Sequence, residues 1–319
     1  MSSKVKVGVI GVGVLGRHHA RLYKSCEEAE LVGIYDVNPD QLDKIGSELD
    51  VAAYSTIEAL AEKCDALSIA VPTHYHFAVA QPLLEAGKHL LIEKPITKTM
   101  EEAESLLKIA ADHRRIIQVG HVERFNPVIS YLEAKLDQPK FIESHRLAPY
   151  PPPRPGLPPR GTEVGVVLDL MIHDIDMVLS LVKSPVVSVD AVGIPVVSPT
   201  EDIANARIKF ENGCVANLTA SRVTPEPMRK IRLFQNQCYI SLDYMEKTGE
   251  VFFREDSRIR REEVPIEDHN ALLKQLEHFV MCVGHFNRTG ELPVPKVSGE
   301  HGTRALELAV KISQLILEG

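Results

Sequence analysis

The stretch Val5–Gly16, VKVGVIGVGVLG, decides the fold. A run rich in Val and Ile, Val5 to Ile10, leads directly into Gly11-x-Gly13-x-x-Gly16, and a helix is expected to begin near Val14. In such a turn the first glycine permits the tight bend, the second lets a pyrophosphate approach the backbone, and the third lets the helix pack closely. The helix N-terminus adds N–H groups and a dipole that favours an anion. A glycine triplet alone also serves plain strand-to-helix packing. Asp36 supplies the other half of the signal: it ends the next apolar run, Leu31 to Tyr35, and lies 20 residues beyond Gly16, where a carboxylate can accept hydrogen bonds from ribose hydroxyls. Together these features predict a dinucleotide site contacted by Gly11, Gly13, Val14, Leu15, Gly16 and Asp36. Val37 and Asn38 follow Asp36 where a cation would be needed to hold a 2′-phosphate, so NAD is expected rather than NADP.

Outward from this stretch the first 120 residues alternate apolar runs with helical segments. Val5 to Ile10, Leu31 to Tyr35, Ala66 to Val71, His89 to Ile92 and Ile116 to Val119 are the clearest strands. Runs without polar alternation suit a sheet buried on both faces, and helical crossovers imply parallel pairing. The expectation is a doubly wound α/β Rossmann domain. Thr99 and Glu102 have capping-box spacing, and Asn38-Pro39 and Asn126-Pro127 each join a capping side chain to a proline suited to the first helical turn.

From about residue 140 the pattern changes. Phe141 to Leu147, Val186 to Val192, Ile203 to Glu211, Cys214 to Ser221, Ile231 to Phe234 and Tyr239 to Tyr244 read as strands, with Asn212-Gly213 predicting a type I′ hairpin. Helices are expected over Gly165 to Val182, Glu267 to Phe286 and Glu300 to Leu317. The second half is therefore expected to be an α+β domain with a mostly antiparallel, open-faced sheet. The expected division is an NAD-binding domain over 1–122 and a substrate-binding and oligomerisation domain over 123–319, with the C-terminal helix a candidate to pack back on the first. Ala148 to Gly161, APYPPPRPGLPPRG, cannot be an interior strand or helix. It reads either as a stiff exposed connection or as a lid or subunit contact whose Arg154 and Arg160 meet an anionic ligand.

Composition narrows the classes. The 319 residues are 44% hydrophobic and 25% charged, an ordinary globular balance. A net charge of -8 has the wrong sign for a chain built to hold nucleic acid. The five cysteines, at 26, 64, 214, 238 and 282, contain no CxxC pair, so neither a disulfide framework nor a cysteine zinc site is indicated. No separate cleavable apolar region opens the chain, and no apolar run reaches the roughly 18 residues of a membrane span. A cytoplasmic protein with no membrane or nucleic-acid partner is expected.

Ligands of open α/β sheets bind beyond the carboxyl ends of strands, which brings in Val71-Pro72-Thr73, His76 and Glu93-Lys94-Pro95. Loop capping by His76 and an exposed Glu93–Lys94 pair are the alternatives to cofactor contact. In the second half Asp169, His173 and Asp176 have i, i+4, i+7 spacing and on a helix would share one face. They supply too few ligands for a metal site, and no metal is expected. A buried polar network at a domain interface is the competing reading.

Gly11-x-Gly13-x-x-Gly16, Glu93-Lys94-Pro95 and Asp169-x-x-x-His173, with GHVERFNP over Gly120 to Pro127, resemble the glucose-fructose oxidoreductase, inositol dehydrogenase and rhizopine-catabolism (Gfo/Idh/MocA) superfamily. The likeness spans nearly the whole chain. VLDLMIHDIDMVLSLV and ENGCVANLTASRV resemble more closely the bacterial UDP-N-acetylglucosamine 3-dehydrogenase group, whose 3-keto product feeds lipid A precursor amination.

The resemblance implies an NAD-dependent oxidoreductase that converts a sugar CH–OH to a keto-sugar, with Lys94 and His173 handling the proton and Asp169 orienting or electrostatically tuning them. Histidine titrates near neutral pH and suits that work. It implies substrate contacts at His121, Arg124, Arg160, Asp169 and His173, a cis Lys94-Pro95 bond, a homodimer or homotetramer, and an aminotransferase as pathway partner. Arg124, Arg146, Arg154, Arg160 and Arg222 are candidate diphosphate partners. Two other classes stay open: a dehydrogenase of a free sugar or cyclitol, and a non-catalytic protein that senses NAD(H).

Overall fold

The computed structural model describes residues 4–153, 159, 161–256, 258–266 and 269–318. Arg154 and Arg160 lie outside the described residues. The chain forms two compact units: one runs up to Phe125 and takes in Asn270–Thr303, and the other holds Asn126–His269 and the chain from Arg304 on.

The first unit contains β1 (Val5–Ile10), α1 (Val14–Tyr23), β2 (Ala29–Tyr35), α2 (Pro39–Leu49), α3 (Ile57–Ala61), β3 (Ala66–Ile69), α4 (His76–Glu85), β4 (His89–Ile92), α5 (Met100–Asp112) and β5 (Ile117–Val119). Its five strands are all parallel, in the order β2-β1-β3-β4-β5. The order reverses between β1 and β3, which is where a doubly wound sheet opens a crevice for a ligand. Every residue of β3 and β4 is buried, as helical cover on both faces requires. The expected caps are present: the Asn38 side chain accepts from Gln41 N–H, and Thr99 and Glu102 form the reciprocal capping box.

The second unit contains α6 (Pro127–Lys135), β6 (Phe141–Leu147), α7 (Ile172–Val182), β7 (Val186–Ile194), β8 (Ile203–Phe210), β9 (Val215–Ser221), β10 (Met228–Gln235), β11 (Cys238–Asp243), β12 (Thr248–Glu255) and β13 (Arg258–Glu263). They make an eight-stranded sheet in the order β13-β12-β11-β10-β6-β9-β8-β7. All neighbours are antiparallel except β6 and β9. One face, including Ile142, Ala206, Ile208, Leu218, Ile231, Leu233 and Leu242, builds the core with Met171, Ile175 and Val178. The chain closes with α8 (Ala271–Thr289) and α9 (Gly299–Glu318). Among the described residues no helix is long and apolar enough to cross a membrane.

The fold departs from the sequence expectations in several places. Residues 270–303, which fall in the expected second domain, pack within the first unit. Leu276, Phe279, Val280 and Val283 on α8 join the core of Val5, Val7, Val9, Ala20 and Tyr23, each large side chain contributing about 1.5–3 kcal/mol by burial. Gln118 Nε2 donates to Gln275 O, and Val119 N donates to Val297 O, each at 2.9 Å. The closing helix is divided, with its residues from Arg304 on in the second unit. At Asn212-Gly213 only Gly213 has positive φ, and its N–H reaches Phe210 O at 3.0 Å. That geometry is a type I turn with a glycine bulge rather than type I′. Finally, the hairpin of β12 and β13 has no sequence signal, because RIRREE in β13 is exposed throughout and lacks apolar alternation. Charge on an edge strand discourages pairing with another chain.

Candidate active site

In the first unit the residues singled out in the sequence converge on the carboxyl ends of the parallel strands. Gly11 follows β1 with φ +83°, and a Cβ there would come 2.8 Å from Ala70 O. At Gly16 a Cβ would lie 1.7 Å from Gly11 O, so the third glycine is needed for helix packing. Gly13 differs from both: a Cβ would meet nothing within 4 Å. It is the N-cap of α1, no side chain caps that end, and Val14 beside it is 62% exposed. This is an open cradle at a helix N-terminus, fitted to an anionic pyrophosphate.

Asp36 follows β2 and is held by its neighbours. Its Oδ2 accepts from Val12 N–H at 2.8 Å and its Oδ1 from Asn38 N–H at 2.9 Å. Gln41 Nε2 donates to Val12 O at 2.9 Å, so the acid, the glycine loop and the start of α2 are cross-linked. The carboxylate is thereby fixed in place beside the glycine loop, a group chemically suited to unphosphorylated ribose hydroxyls. These residues fit NAD.

Beyond β3 come Val71, Pro72 and Thr73, then His76, and beyond β4 come Glu93 and Lys94. The Lys94-Pro95 bond is cis. His76 is buried, with Nδ1 2.9 Å from Pro95 O and Nε2 2.9 Å from Val71 O. Its ring therefore holds the end of β3 to the turn after Lys94. Burial pushes the His76 imidazole below its ordinary pKa, against the pull of the two carbonyls and of Glu93. Glu93 is buried too, with Oε1 3.1 Å from His19 Nε2 on α1. Burial works to raise the Glu93 carboxyl, but the His19 imidazole 3.1 Å away and the Lys94 ammonium next along the chain outweigh it and hold the group below the usual range. Lys94 is half-buried. His121 and Arg124, expected on the substrate, are 1% and 7% exposed. Arg124 Nη2 donates to Lys296 O at 3.3 Å.

In the second unit Asp169 lies in a π turn, Val167–Met171, that opens into α7, and His173 stands in the first α-helical turn. The regular helix expected over this stretch is widened, a local form frequent at functional sites. Asp169 and His173 are half-exposed, while Asp176 is buried. Asp174, unremarked in the sequence reading, anchors α7. Its Oδ1 accepts from Ser144 Oγ at 2.8 Å and Tyr244 OH at 2.6 Å, and its Oδ2 from Arg146 Nε at 2.7 Å.

Two of the five candidate diphosphate arginines are committed elsewhere. Arg146 is buried against Asp174. Arg222 is 2% exposed and uses its whole fork on Asp202, Gly161, Val164, Ser198 and Thr200. An arginine's position in sequence does not reveal its partner. His19 was also missed, although it belongs to the inward stripe Gly16, His19, Ala20 and Tyr23 of α1, where a histidine among apolar positions is a signal. Among the described residues no three His, Cys, Asp or Glu side chains converge for a metal.

Residues 5–121 match the model of an oxidoreductase family with an NAD-binding Rossmann fold, and residues 133–241 match that family's C-terminal domain. The chain is 38% identical over 88% of its length, and 88% of the relative's, to UDP-N-acetylglucosamine 3-dehydrogenase of Acidithiobacillus ferrooxidans. The solved structure of that enzyme superposes with a TM-score of 0.89 at 37% identity, covering 98% of each chain. The scyllo-inositol 2-dehydrogenase (NAD(+)) of Bacillus subtilis is 25% identical over 100% of this chain and 96% of its own. A levoglucosan dehydrogenase solved with NADH shares the fold at 18% identity, with a TM-score of 0.87 and 99% and 98% coverage. With its glycine cradle, its oriented Asp36 and both family domains in order, the chain belongs to the Gfo/Idh/MocA family of NAD-binding oxidoreductases.

Proposed function

We propose that this enzyme oxidises UDP-N-acetylglucosamine at C3, giving the 3-keto nucleotide sugar. The observation that carries the substrate is the 38% identity over 88% of the chain to an enzyme of that name, against 25% for the inositol enzyme. NAD, held by Gly11, Gly13, Val14, Leu15, Gly16 and Asp36 with Val71, Pro72, Thr73 and Glu93, supplies the hydride acceptor when bound. Lys94 and His173 hold and pass on the hydroxyl proton, and Asp169, four residues before His173, supports the histidine electrostatically. Their half-exposure supports this reading, since a proton carrier must reach substrate yet be partly shielded from water. His76 supports the cofactor site indirectly, through Val71 O and Pro95 O.

A ketone beside the acetamido carbon is the kind of carbonyl an aminotransferase consumes, which suits a step toward a lipid A precursor. The cysteines are all unpaired, in keeping with a reducing cytoplasm. A homodimer or homotetramer is supported by the sheet face opposite the core, where Phe141, Phe234, Tyr239 and Phe252 stack across four strands at centroid distances of 5.6, 4.6 and 5.3 Å. Such a ladder is an unusual surface to leave in water. Light scattering after size exclusion, with Phe234→Glu beside the parent, tests it.

The deciding assay follows NADH formation with UDP-N-acetylglucosamine, free N-acetylglucosamine, glucose and myo-inositol, with a 3-keto-sugar aminotransferase and glutamate drawing off product. Turnover of the nucleotide sugar alone, abolished in Lys94→Ala and His173→Ala that still bind NAD, is expected. Turnover of a free polyol alone would discard the substrate assignment. Unchanged turnover in both variants would discard the residue roles.

A further inference from the structure

Arg222 sits near the end of β9 with its guanidinium enclosed. Nη1 donates to Gly161 O and to Val164 O, each at 2.8 Å. Nη2 donates to Ser198 Oγ at 2.8 Å and Thr200 Oγ1 at 2.9 Å, and Nε to Asp202 Oδ1 at 2.8 Å. All five N–H groups are used, the full capacity of the side chain.

The socket is equally well tied. Asp202 Oδ2 accepts from the N–H groups of Val196, Val197 and Ser198 at 2.8, 2.6 and 2.9 Å. Burial works to raise the Asp202 carboxyl, but the Ser198 hydroxyl, these N–H groups and Arg222 outweigh it and hold the group well below the usual carboxylate range. Asp202 is thus a fixed anion on which Arg222 is seated. The same loop grips the chain ahead of Asp169, because Val166 N donates to Glu201 O at 3.0 Å and Val167 N to Glu201 Oε1 at 3.4 Å.

The two carbonyls that Arg222 holds bracket the segment against which Asp169 packs. Gly161 has φ +82°, and a Cβ there would lie 2.3 Å from Asp169 Oδ2, so the carboxylate rests on the bare glycine Cα. Asp169 N in turn donates to Gly165 O at 3.1 Å, one residue beyond the second carbonyl.

We infer that Arg222 is a positioning residue for Asp169: anchored on Asp202, it fixes residues 161–165 through the Gly161 and Val164 carbonyls, and that segment sets where the Asp169 carboxylate stands. The inference rests on Asp169 taking part in the reaction as proposed above. It replaces the expectation that Arg222 meets a substrate diphosphate. Lysine cannot reproduce a five-donor fork, and a displacement of about 1 Å at a reacting group can cost about 100-fold in rate.

The test is a double-mutant cycle on the intact enzyme with the sugar turned over in the assay above. Arg222→Lys should lower kcat by about 10- to 100-fold, with NAD affinity within about twofold of the parent. In the Asp169→Asn background the same change should cost less than about threefold, because residues acting through one another are not additive. The pH profile of kcat should shift in the same direction in Arg222→Lys and Asp169→Asn. Should Arg222 variants fold poorly, Gly161→Ala leaves Arg222 itself unchanged yet sets a Cβ on the Asp169 carboxylate and strains the left-handed turn at that position, and it should show the same collapse of effect in Asp169→Asn. An Arg222→Lys penalty of equal size in both backgrounds, or full kcat in folded Arg222→Lys, overturns the inference while leaving the Asp169 reading intact. Full activity in Asp169→Asn instead overturns the reading on which it rests.

Discussion

His19 Nε2 lies 3.1 Å from Glu93 Oε1, joining the helix after the glycine loop to the residue before Lys94 through two buried side chains. The same carboxylate packs against Gly120, where a Cβ would come within 2.7 Å of Oε1. Removing one member of a buried pair costs about 3–5 kcal/mol, chiefly because the other is left buried and uncompensated. His19→Ala is therefore expected to destabilise the protein toward the lower end of that range, since Lys94 still acts on Glu93. In Glu93→Gln the same substitution should cost much less. Urea denaturation of the four proteins measures the coupling, and an equal cost in both backgrounds would show that the pair is a mere proximity.

If Asp36 holds the ribose as proposed, cofactor choice is expected to follow from it. Its two oxygens are each held by a backbone N–H, Val12 and Asn38, so the carboxylate cannot swing aside for a 2′-phosphate. A charged hydrogen bond to a ribose hydroxyl is worth about 1.5–3 kcal/mol. Asp36→Ala is expected to weaken NAD by about 10- to 100-fold and to narrow the preference over NADP by removing the repulsion. Calorimetric titration with both cofactors checks this. An unchanged NAD to NADP ratio would place the ribose elsewhere.

The glycines separate packing from binding. A Cβ at Gly16 would stand 1.7 Å from Gly11 O, whereas one at Gly13 would meet nothing within 4 Å. Gly16→Ala should lower the melting temperature sharply. Gly13→Ala should leave stability within about 1 kcal/mol, the ordinary scale of a glycine-to-alanine change, and still impair NAD binding, because the new methyl occupies the space left for the pyrophosphate. Thermal unfolding with and without NAD distinguishes them: a Gly13→Ala protein stabilised by NAD as strongly as the parent would contradict the cradle.

What could be read in the sequence was local. The first strand, the three glycines, Asp36, the Thr99–Glu102 box and the strand ending at Lys94 all announce themselves within a few residues. What could not be read depends on distant partners. Arg222 finds Asp202 across a strand pair, Arg146 finds Asp174 from another element, and residues 270–303 join the first unit because the apolar side of α8 matches Val5, Val7 and Tyr23. His76 turns inward between the Val71 and Pro95 carbonyls, which lie 2.9 Å from its two ring nitrogens at different strand ends, and spacing alone does not disclose that. The π turn at Asp169 is hidden because its sequence has ordinary helical periodicity, which does not distinguish a π turn from an α turn.

His89 gives a stability signature in the acid range. Its Nδ1 accepts from Ile116 N–H at 3.0 Å, and it is buried near Arg115. Burial, then the Arg115 charge, lowers its pKa to about 4. An unfolded histidine titrates near 6.5. Between these values the unfolded chain binds the proton and the folded chain does not, so stability rises with pH across the window. The contribution is fully present above about pH 6.5 and is lost as pH falls through about 4. Its size is on the order of 3 kcal/mol, from about 1.4 kcal/mol per pKa unit. His89→Asn keeps an acceptor for Ile116 N–H but has no proton to gain. It should therefore flatten the stability slope between about pH 4 and 6.5 while leaving stability near pH 7 within about 2 kcal/mol. Urea midpoints measured across that range check it, and a slope unchanged by the substitution would assign the acid sensitivity to other groups.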